Sequence, residues 1–223
     1  MTKKLFIQAI CKMALGIMLA GLLVFLPAGT LSYFNGWLLL SVLFVPMFLA
    51  GIIMMVKKPE LLKRRLKAKE TEKEQRLVIG LSGVMFIAGF IIAGFDFRYG
   101  WSRVSDTVIA VAVSMYLLSF LFYTEVIREN EYLSRTIEVQ ENQKVIDSGL
   151  YGIVRHPMYT ATIIMFLSIP VILGSLYSLL VFLCYPFIIV KRIRHEEKLL
   201  EKELSGYKEY KLRVKYRLFP FVW

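Results

Sequence analysis

The sequence predicts an all-α integral membrane protein with about six transmembrane helices. Hydrophobic residues fill 57% of its 223 positions, and several apolar runs approach the roughly 20 residues that a helix needs to cross the hydrocarbon core. The lysines and arginines, which bring the net charge to +11, flank these runs and form no separate basic domain. We therefore expect the lipid bilayer as a partner and no nucleic acid.

Four apolar runs in the N-terminal half are expected to be membrane helices. They cover residues 5–26, 37–56, 77–95 and 107–124. Residues 1–127 are thus expected to form an N-terminal membrane region, and residues 128–223 a second region made of a connector, a helical hairpin and a tail. Within the connector, apolar and polar residues alternate over residues 136–146. This pattern favours a short hairpin or extended segment, with a turn near residues 140–143.

The last two membrane helices are predicted to form a tight hairpin. The apolar run of residues 158–190 is too short for two independent spans, and it is interrupted at Gly174 and Ser175. Pro157 suits the first turn of the first helix, because that position has no use for an amide hydrogen. From residue 191 onward the chain is charged and rich in aromatics, which predicts an amphipathic tail.

The distribution of basic residues predicts the orientation. Connectors on one side, together with both ends of the chain, hold 26 of the 28 lysines and arginines, whereas Arg98 and Arg103 lie on the other side. Positive charge marks the cytoplasmic side. Both termini, the hairpin mouth and the tail are therefore expected to face the cytoplasm.

Two polar clusters bracket the hairpin at this same end. Arg155 and His156 precede its first helix, and Arg192 and Glu196 follow its second. An ionisable group at the edge of the hydrocarbon is costly unless a partner or ligand compensates it, so the two clusters together indicate a binding site. Two simpler interpretations remain open: a helix end anchored to lipid headgroups, and an i,i+4 ion pair between Arg192 and Glu196 on a solvated helix.

Convergence of Arg155 and Arg192 at the hairpin mouth predicts an anionic substrate. Two guanidiniums can hold a carboxylate in a fixed fork geometry and neutralise it as it leaves water. A carboxylate is already ionised near neutral pH and needs no general base, whereas an amine must first lose a proton. We therefore take Arg155 and Arg192 as the candidate catalytic residues.

No metal site is predicted. The two cysteines, Cys11 and Cys184, lie in separate apolar runs, and His156 and His195 are the only histidines. Neither a CxxC pair nor a metal-ligand spacing can be assembled from these four residues.

Several motifs resemble those of the isoprenylcysteine carboxyl methyltransferase family, and phospholipid methyltransferases share much of the pattern. The resemblance covers roughly the last 90 residues and rests on Glu138-Val139-Gln140, Val145-Ile146-Asp147-Ser148-Gly149, Arg155-His156-Pro157-Met158-Tyr159, Glu196-Glu197-Lys198-Leu199-Leu200, Tyr207 to Tyr210 and Arg213 to Pro220. Two positions depart from the family pattern. Leu150 stands where the family often has proline, and Ala161 where many members have glycine.

The resemblance implies an enzyme that uses S-adenosylmethionine, held between the hairpin mouth and the tail. A soluble methyltransferase is not expected, because no glycine-rich turn follows a predicted strand and opens a helix. Glu196 and Glu197 are suited to the cationic groups of this cofactor, and His156 and Tyr159 to its carboxylate and ribose. The cofactor-binding residues implied by the resemblance are His156, Tyr159, Glu196, Glu197, Tyr207 and Tyr210.

The expected function is methyl transfer to a lipophilic small-molecule or lipidated substrate, with carboxyl O-methylation of an isoprenylcysteine-like or other lipophilic carboxylate favoured. The alternatives are phospholipid amine N-methylation, an NADPH-dependent membrane reductase of related architecture, and a non-enzymatic membrane protein. The membrane would be the inner membrane of a bacterium or the endoplasmic reticulum of a eukaryote.

Overall fold

The computed structural model of the chain describes residues 2–66, 73–130, 132–133, 139–140 and 142–223, and these residues form helices and turns but no strand. The all-α prediction is confirmed. In chain order the elements are α1 (Thr2–Ala28), α2 (Phe34–Lys57), α3 (Pro59–Leu66), α4 (Lys73–Tyr99), α5 (Asp106–Glu129), a 3-10 helix (Gly149–Gly152), α6 (Pro157–Ile172), α7 (Leu176–Phe182), α8 (Tyr185–Glu203) and α9 (Tyr207–Arg213).

Five helical segments among the described residues are long and apolar enough to cross a membrane, which confirms the prediction of a polytopic membrane protein. They are Leu5–Ala28, Phe34–Lys57, Gln75–Tyr99, Asp106–Glu129 and Leu176–Glu203. The remaining predicted span is α6, which has only 16 residues. At 1.5 Å per residue it measures about 24 Å, less than the roughly 30 Å of the hydrocarbon core.

The segment Leu176–Glu203 contains two helices, α7 and α8, joined through Leu183 and Cys184. The break lies just before Pro186, which is in the first turn of α8. A proline nitrogen carries no hydrogen, so the carbonyl one turn earlier loses its helical donor and the ladder is interrupted. The apolar span therefore continues across a bend.

Aromatic rings hold the hairpin against the rest of the bundle. The Phe166 and Tyr185 rings lie 4.8 Å apart between α6 and α8, and Phe86 of α4 contacts Phe166 at 4.9 Å and Phe182 at 5.3 Å. A Cβ atom at Gly89 would lie 2.3 Å from the Phe182 ring. Glycine at this position therefore lets α7 pack closely on α4.

The hairpin turns at the predicted place and is fixed there by a buried carboxylate. Gly174 has φ +75°, a conformation that favours glycine. The next residue, Ser175, donates its hydroxyl to Asp96 at 2.5 Å and accepts the Ser178 amide at 3.0 Å, which caps α7. Asp96 also accepts the backbone amide of Ser102 at 2.7 Å. The loop between α4 and α5 is thus bonded to the turn between α6 and α7.

Residues 204–223, here called the C-terminal tail, fold back onto the start of α6. Gly206 takes φ +81° at the turn after α8, and α9 follows it. The amides of Arg155 and His156 then donate to the carbonyls of Tyr216 and Arg217, both at 2.9 Å. The tail therefore lies against the two residues that precede α6.

The predicted extended segment of residues 136–146 is only partly described. Residues 136–138 and 141 lie outside the described residues, while the Gln143 amide donates to the Gln140 carbonyl at 3.0 Å and Asn142 has φ 59°. The turn predicted near residues 140–143 is therefore present.

Candidate functional site

A cavity of about 840 Å³, including its opening to solvent, lies where α6 begins and α8 ends. The connector after α5 and the C-terminal tail form its remaining walls. The predicted site residues that line it are Arg155, His156, Tyr159, Arg192, Glu196, Tyr207 and Tyr210. Folding thus brings to one place residues that are separated by as many as 55 positions in the sequence.

Arg155 connects α8 to the C-terminal tail. Its Nε donates to Glu197 Oε1 at 2.7 Å, and its Nη1 donates to the carbonyls of Val214 at 2.6 Å and Lys215 at 2.9 Å. Both side chains of the Arg155–Glu197 ion pair are under 5% exposed. Charge-assisted bonds of this kind are short and directional, so the guanidinium holds three chain segments in fixed positions.

Glu197 lies behind the cavity wall. Besides Arg155, its carboxylate accepts Arg217 Nε at 3.0 Å and lies 3.3 Å from His156 Nε2. The Arg217 guanidinium in turn lies 4.8 Å from the centre of the Trp223 ring. Glu197 therefore bonds α8 to the start of α6 and to the tail, and it is not among the residues that line the cavity.

Tyr159 links Arg192 and Glu196 on the cavity wall. Arg192 Nε donates to the Tyr159 hydroxyl at 2.8 Å, and this hydroxyl donates to Glu196 Oε2 at 2.6 Å. The His156 ring stacks on Tyr159 with 5.7 Å between centres. The two charged side chains of α8 are thus aligned by one phenol from α6, and a cation and an anion face the same space.

Tyr207 and Tyr210 lie three positions apart on α9 and share one face. Tyr210 donates its hydroxyl to the Tyr151 carbonyl at 2.8 Å. The Tyr207 hydroxyl, which is buried, has no hydrogen-bond partner within the described part of the chain. Burial raises the pKa of both phenols well above the usual range. Both are therefore neutral donors near pH 7, and that of Tyr207 is available to a ligand.

Glu129, at the end of α5, positions the 3-10 helix beside the cavity. Its Oε2 accepts the Leu150 amide at 2.9 Å. Gly149 has φ +56°, and a Cβ atom there would lie 2.0 Å from Glu129 Oε1. Leucine at position 150 therefore supplies an amide hydrogen that a proline at this position would lack.

Sequence reasoning missed three contributors to the site. Glu129 fixes the 3-10 helix, Asn130 donates to the Tyr151 hydroxyl at 3.1 Å, and Arg217 pairs with Glu197. Arg217 lies within the stretch that carries the family resemblance, so its position in the sequence was a usable signal. Glu129 and Asn130 follow a predicted span, where polar residues are ordinary, and nothing in their spacing singles them out.

The site combines fixed cations, one cavity-facing carboxylate and neutral phenols. Arg192 and Glu196 offer opposite charges to a ligand, and the Tyr207 hydroxyl offers a hydrogen bond. Among the described residues no group of three or more histidine, cysteine, aspartate or glutamate side chains is arranged to hold a metal ion. The arrangement suits a ligand that carries both charges, rather than a purely apolar one.

Comparison with known proteins relates the chain to a sterol reductase and to a methyltransferase family. The chain is 35% identical over 91 residues to the Delta(14)-sterol reductase TM7SF2 of Mus musculus. The aligned segment covers 40% of this chain and 22% of that protein. The chain thus spans about a fifth of the length of this relative. The family model described as phospholipid methyltransferase matches residues 107–206. This match contains both the RHPxY and the EExxL motifs. Residues 107–206 therefore resemble the phospholipid methyltransferase family, which includes the isoprenylcysteine carboxyl methyltransferase-like proteins, and the resemblance predicted from the motifs is confirmed.

Proposed function

We propose that this protein is a membrane methyltransferase that uses S-adenosylmethionine and acts on a lipophilic carboxylate, such as an isoprenylcysteine-like acceptor. One observation supports this proposal above the others. Three motifs that are distant in sequence line a single cavity, and two of them lie within the segment that matches a methyltransferase family. The proposed product is a carboxyl methyl ester.

The residues around the cavity fit the proposed cofactor. Charged, polar and aromatic side chains all line the cavity, as is usual for ligand pockets. Glu196 provides a carboxylate for a cationic group, and Tyr207 provides a buried hydroxyl without a partner among the described residues. S-adenosylmethionine would supply a methyl group already activated by its sulfonium.

The chain's own residues are proposed to bind and orient the acceptor. Arg192 lines the cavity and would pair with an acceptor carboxylate, while Arg155 adds positive charge and keeps the tail in place. An ionised acceptor requires no proton transfer, so positioning and exclusion of water are the main contributions. The C-terminal tail, held against the residues that precede α6, closes one side of the cavity.

Calorimetry with S-adenosylhomocysteine tests the cofactor assignment. The detergent-solubilised parent protein is expected to bind this product analogue, and Glu196→Gln to weaken binding roughly tenfold or more, because a charged partner is lost. Glu203→Gln is the matched control, since Glu203 is an exposed carboxylate farther along α8. Equal weakening by both substitutions would show general charge attraction instead of a site.

A panel of lipophilic acids and amines tests the acceptor. Arg192→Lys keeps the charge but loses the planar fork, so turnover of the acids is expected to fall at least tenfold. The Arg155→Lys variant is expected to lose activity as well, because three bonds of its guanidinium are removed. Undiminished turnover of acids in both variants, or turnover of amines alone by the parent, would contradict carboxyl methylation.

Phospholipid amine N-methylation is the nearest alternative, and the description of the matching family favours it. An amine acceptor must give up a proton, and Arg192 is a poor base for that step. Among the described residues that line the cavity, Glu196 and His156 are the available proton acceptors. The same panel distinguishes the two reactions by their products.

A membrane reductase is the second alternative, and the match to the mouse Delta(14)-sterol reductase supports it. This function requires a reduced nicotinamide cofactor such as NADPH. Titration with NADPH beside S-adenosylhomocysteine separates the two enzyme classes. Binding of NADPH without binding of S-adenosylhomocysteine would replace the methyltransferase proposal.

A further inference from the structure

One exposed face of α8 carries three cations that the proposed reaction does not use. Lys191, Arg194 and Lys198 follow one another at intervals of three and four residues and lie on the same side of the helix. All three are exposed, and none makes a hydrogen bond or ion pair within the residues that the structure describes. We call these three residues the cationic face.

The cationic face continues an apolar surface on the same side of α8. Phe187 is 76% exposed, and together with Val190 it borders a groove that the three cations also line. The segment Leu176–Glu203 is long and apolar enough to cross a membrane. The groove therefore extends from an apolar portion suited to acyl chains to a charged portion suited to phosphates.

The acidic residues of this part of α8 do not neutralise the groove. Glu197 is buried against Arg155, and Glu196 is bonded to Tyr159 at the cavity on another side of the helix. The residues that line the groove include no carboxylate. Seven residues of helix separate Lys191 from Lys198, which is about 10 Å. A single headgroup region can therefore interact with all three cations.

We propose that the cationic face and the apolar groove beneath it bind an anionic phospholipid, with its phosphate at Lys191, Arg194 and Lys198 and an acyl chain along Phe187. Basic residues that follow a membrane helix attract anionic headgroups, and a guanidinium matches the geometry of a phosphate. The site lies on the opposite side of α8 from Arg192 and Glu196. A bound lipid thus stabilises the helix that supplies these two cavity residues.

Thermal unfolding in neutral micelles tests this site without any assay of activity. The parent protein is titrated with phosphatidylglycerol, with phosphatidylcholine and with inorganic phosphate. A ligand that binds only the folded state raises the unfolding temperature. We expect phosphatidylglycerol to raise it and the other two to leave it unchanged. An equal rise with phosphatidylcholine, or with inorganic phosphate alone, would overturn the proposal.

The variant Lys191→Gln/Arg194→Gln/Lys198→Gln is expected to lose this response. Each basic residue near an anionic lipid surface contributes roughly a fivefold change in affinity, so the triple variant should bind on the order of 100-fold more weakly. Lys57→Gln/Lys208→Gln/Lys215→Gln removes the same charge from exposed positions that lie outside the groove and outside α8. A similar loss in this control would show attraction by net charge only and would overturn the proposed site.

Native mass spectrometry of the parent protein gives a second test that needs no variant. One phosphatidylglycerol molecule should be retained in preference to phosphatidylcholine from an equimolar mixture. Retention should fall in protein washed with about 1 M salt, where the Debye length is about 3 Å. Equal retention of the two lipids would contradict the proposal even if the triple variant failed to fold.

Discussion

Glu196 and Glu197 are neighbours in sequence with different surroundings. Glu196 lies on the cavity wall and accepts one hydrogen bond from Tyr159, whereas Glu197 is buried and pairs with Arg155 and Arg217. Consecutive residues on a helix point about 100° apart, so one faces the cavity while the other faces the tail. We infer that the Glu196 carboxylate binds the ligand and that the Glu197 carboxylate stabilises the fold.

Glu197→Gln is therefore expected to lower stability. Removing one partner of a buried ion pair leaves an uncompensated charge, which costs about 3 kcal/mol. The thermal unfolding temperature in detergent should fall by about 10 °C for a chain of this length. Glu196→Gln should change it by less than about 2 °C. Equal losses in the two variants would contradict this difference.

At the level of residues, the sequence indicated which residues form the candidate site more readily than which contacts they make. Arg155, His156 and Tyr159 were identifiable because they stand at the start of an apolar helix. Adjacent carboxylates at 196 and 197 could not be distinguished, because the rotation of α8 about its axis depends on tertiary packing. Glu129 was not identifiable, since its contact with Leu150 spans 21 positions through a polar connector.

At the level of elements, the hairpin of α6, α7 and α8 follows closely from local sequence. Its turn lies at Gly174 and Ser175 as predicted, and Pro157 begins α6. Because these signals leave only 16 residues for α6, this helix is shorter than a full span. The partner of the turn, Asp96, could not be predicted, because it lies 79 positions before Ser175.

Ser175→Ala tests the contribution of this turn. The substitution removes the cap of α7, worth about 1 kcal/mol, and a hydrogen bond to a buried carboxylate, worth about 1.5–3 kcal/mol. The unfolding temperature should fall by roughly 8 °C. Ser114→Ala is the control, because the exposed Ser114 hydroxyl bonds the Ala110 carbonyl of its own helix. Similar losses in the two variants would show that the Asp96 network contributes little.

For the whole molecule, the asymmetry of charge is the main guide to orientation. Arg98 and Arg103 are at the end of the bundle that holds the Asp96 network, and the cavity is at the other end, near Lys191 and the tail. By the positive-inside rule, we propose that the cavity and both termini face the cytoplasm.

Cysteine labelling in intact membranes tests this topology. In a Cys11→Ser/Cys184→Ser background, Ser205→Cys in the tail should be shielded from an impermeant reagent, and Ser32→Cys between α1 and α2 should react. Both serines are exposed, so accessibility reflects the side of the membrane. Reaction of Ser205→Cys with shielding of Ser32→Cys would reverse the orientation.

The fold class of the whole molecule could be predicted from the sequence more completely than the packing of its helices against one another. Apolar length alone predicted a polytopic helical protein, because each span must satisfy its own backbone hydrogen bonds in lipid. The packing of α6 against α5 and of α7 against α4 could not be predicted in this way. The apolar faces of these helices have similar compositions, so the sequence does not indicate which two faces pack together. The motifs indicated where the candidate site lies, and the tertiary structure showed which other residues line it.

The bonds between Arg155 and the tail also set an order of events during synthesis. Val214, which accepts Arg155 Nη1, follows it by 59 residues. At about 5–20 residues per second, the ribosome needs roughly 3–12 s to reach it. During that interval the guanidinium lacks its carbonyl partners in the tail. A released chain that ends before residue 214 is therefore expected to keep its membrane helices but to lack the bonds that hold the tail against the cavity.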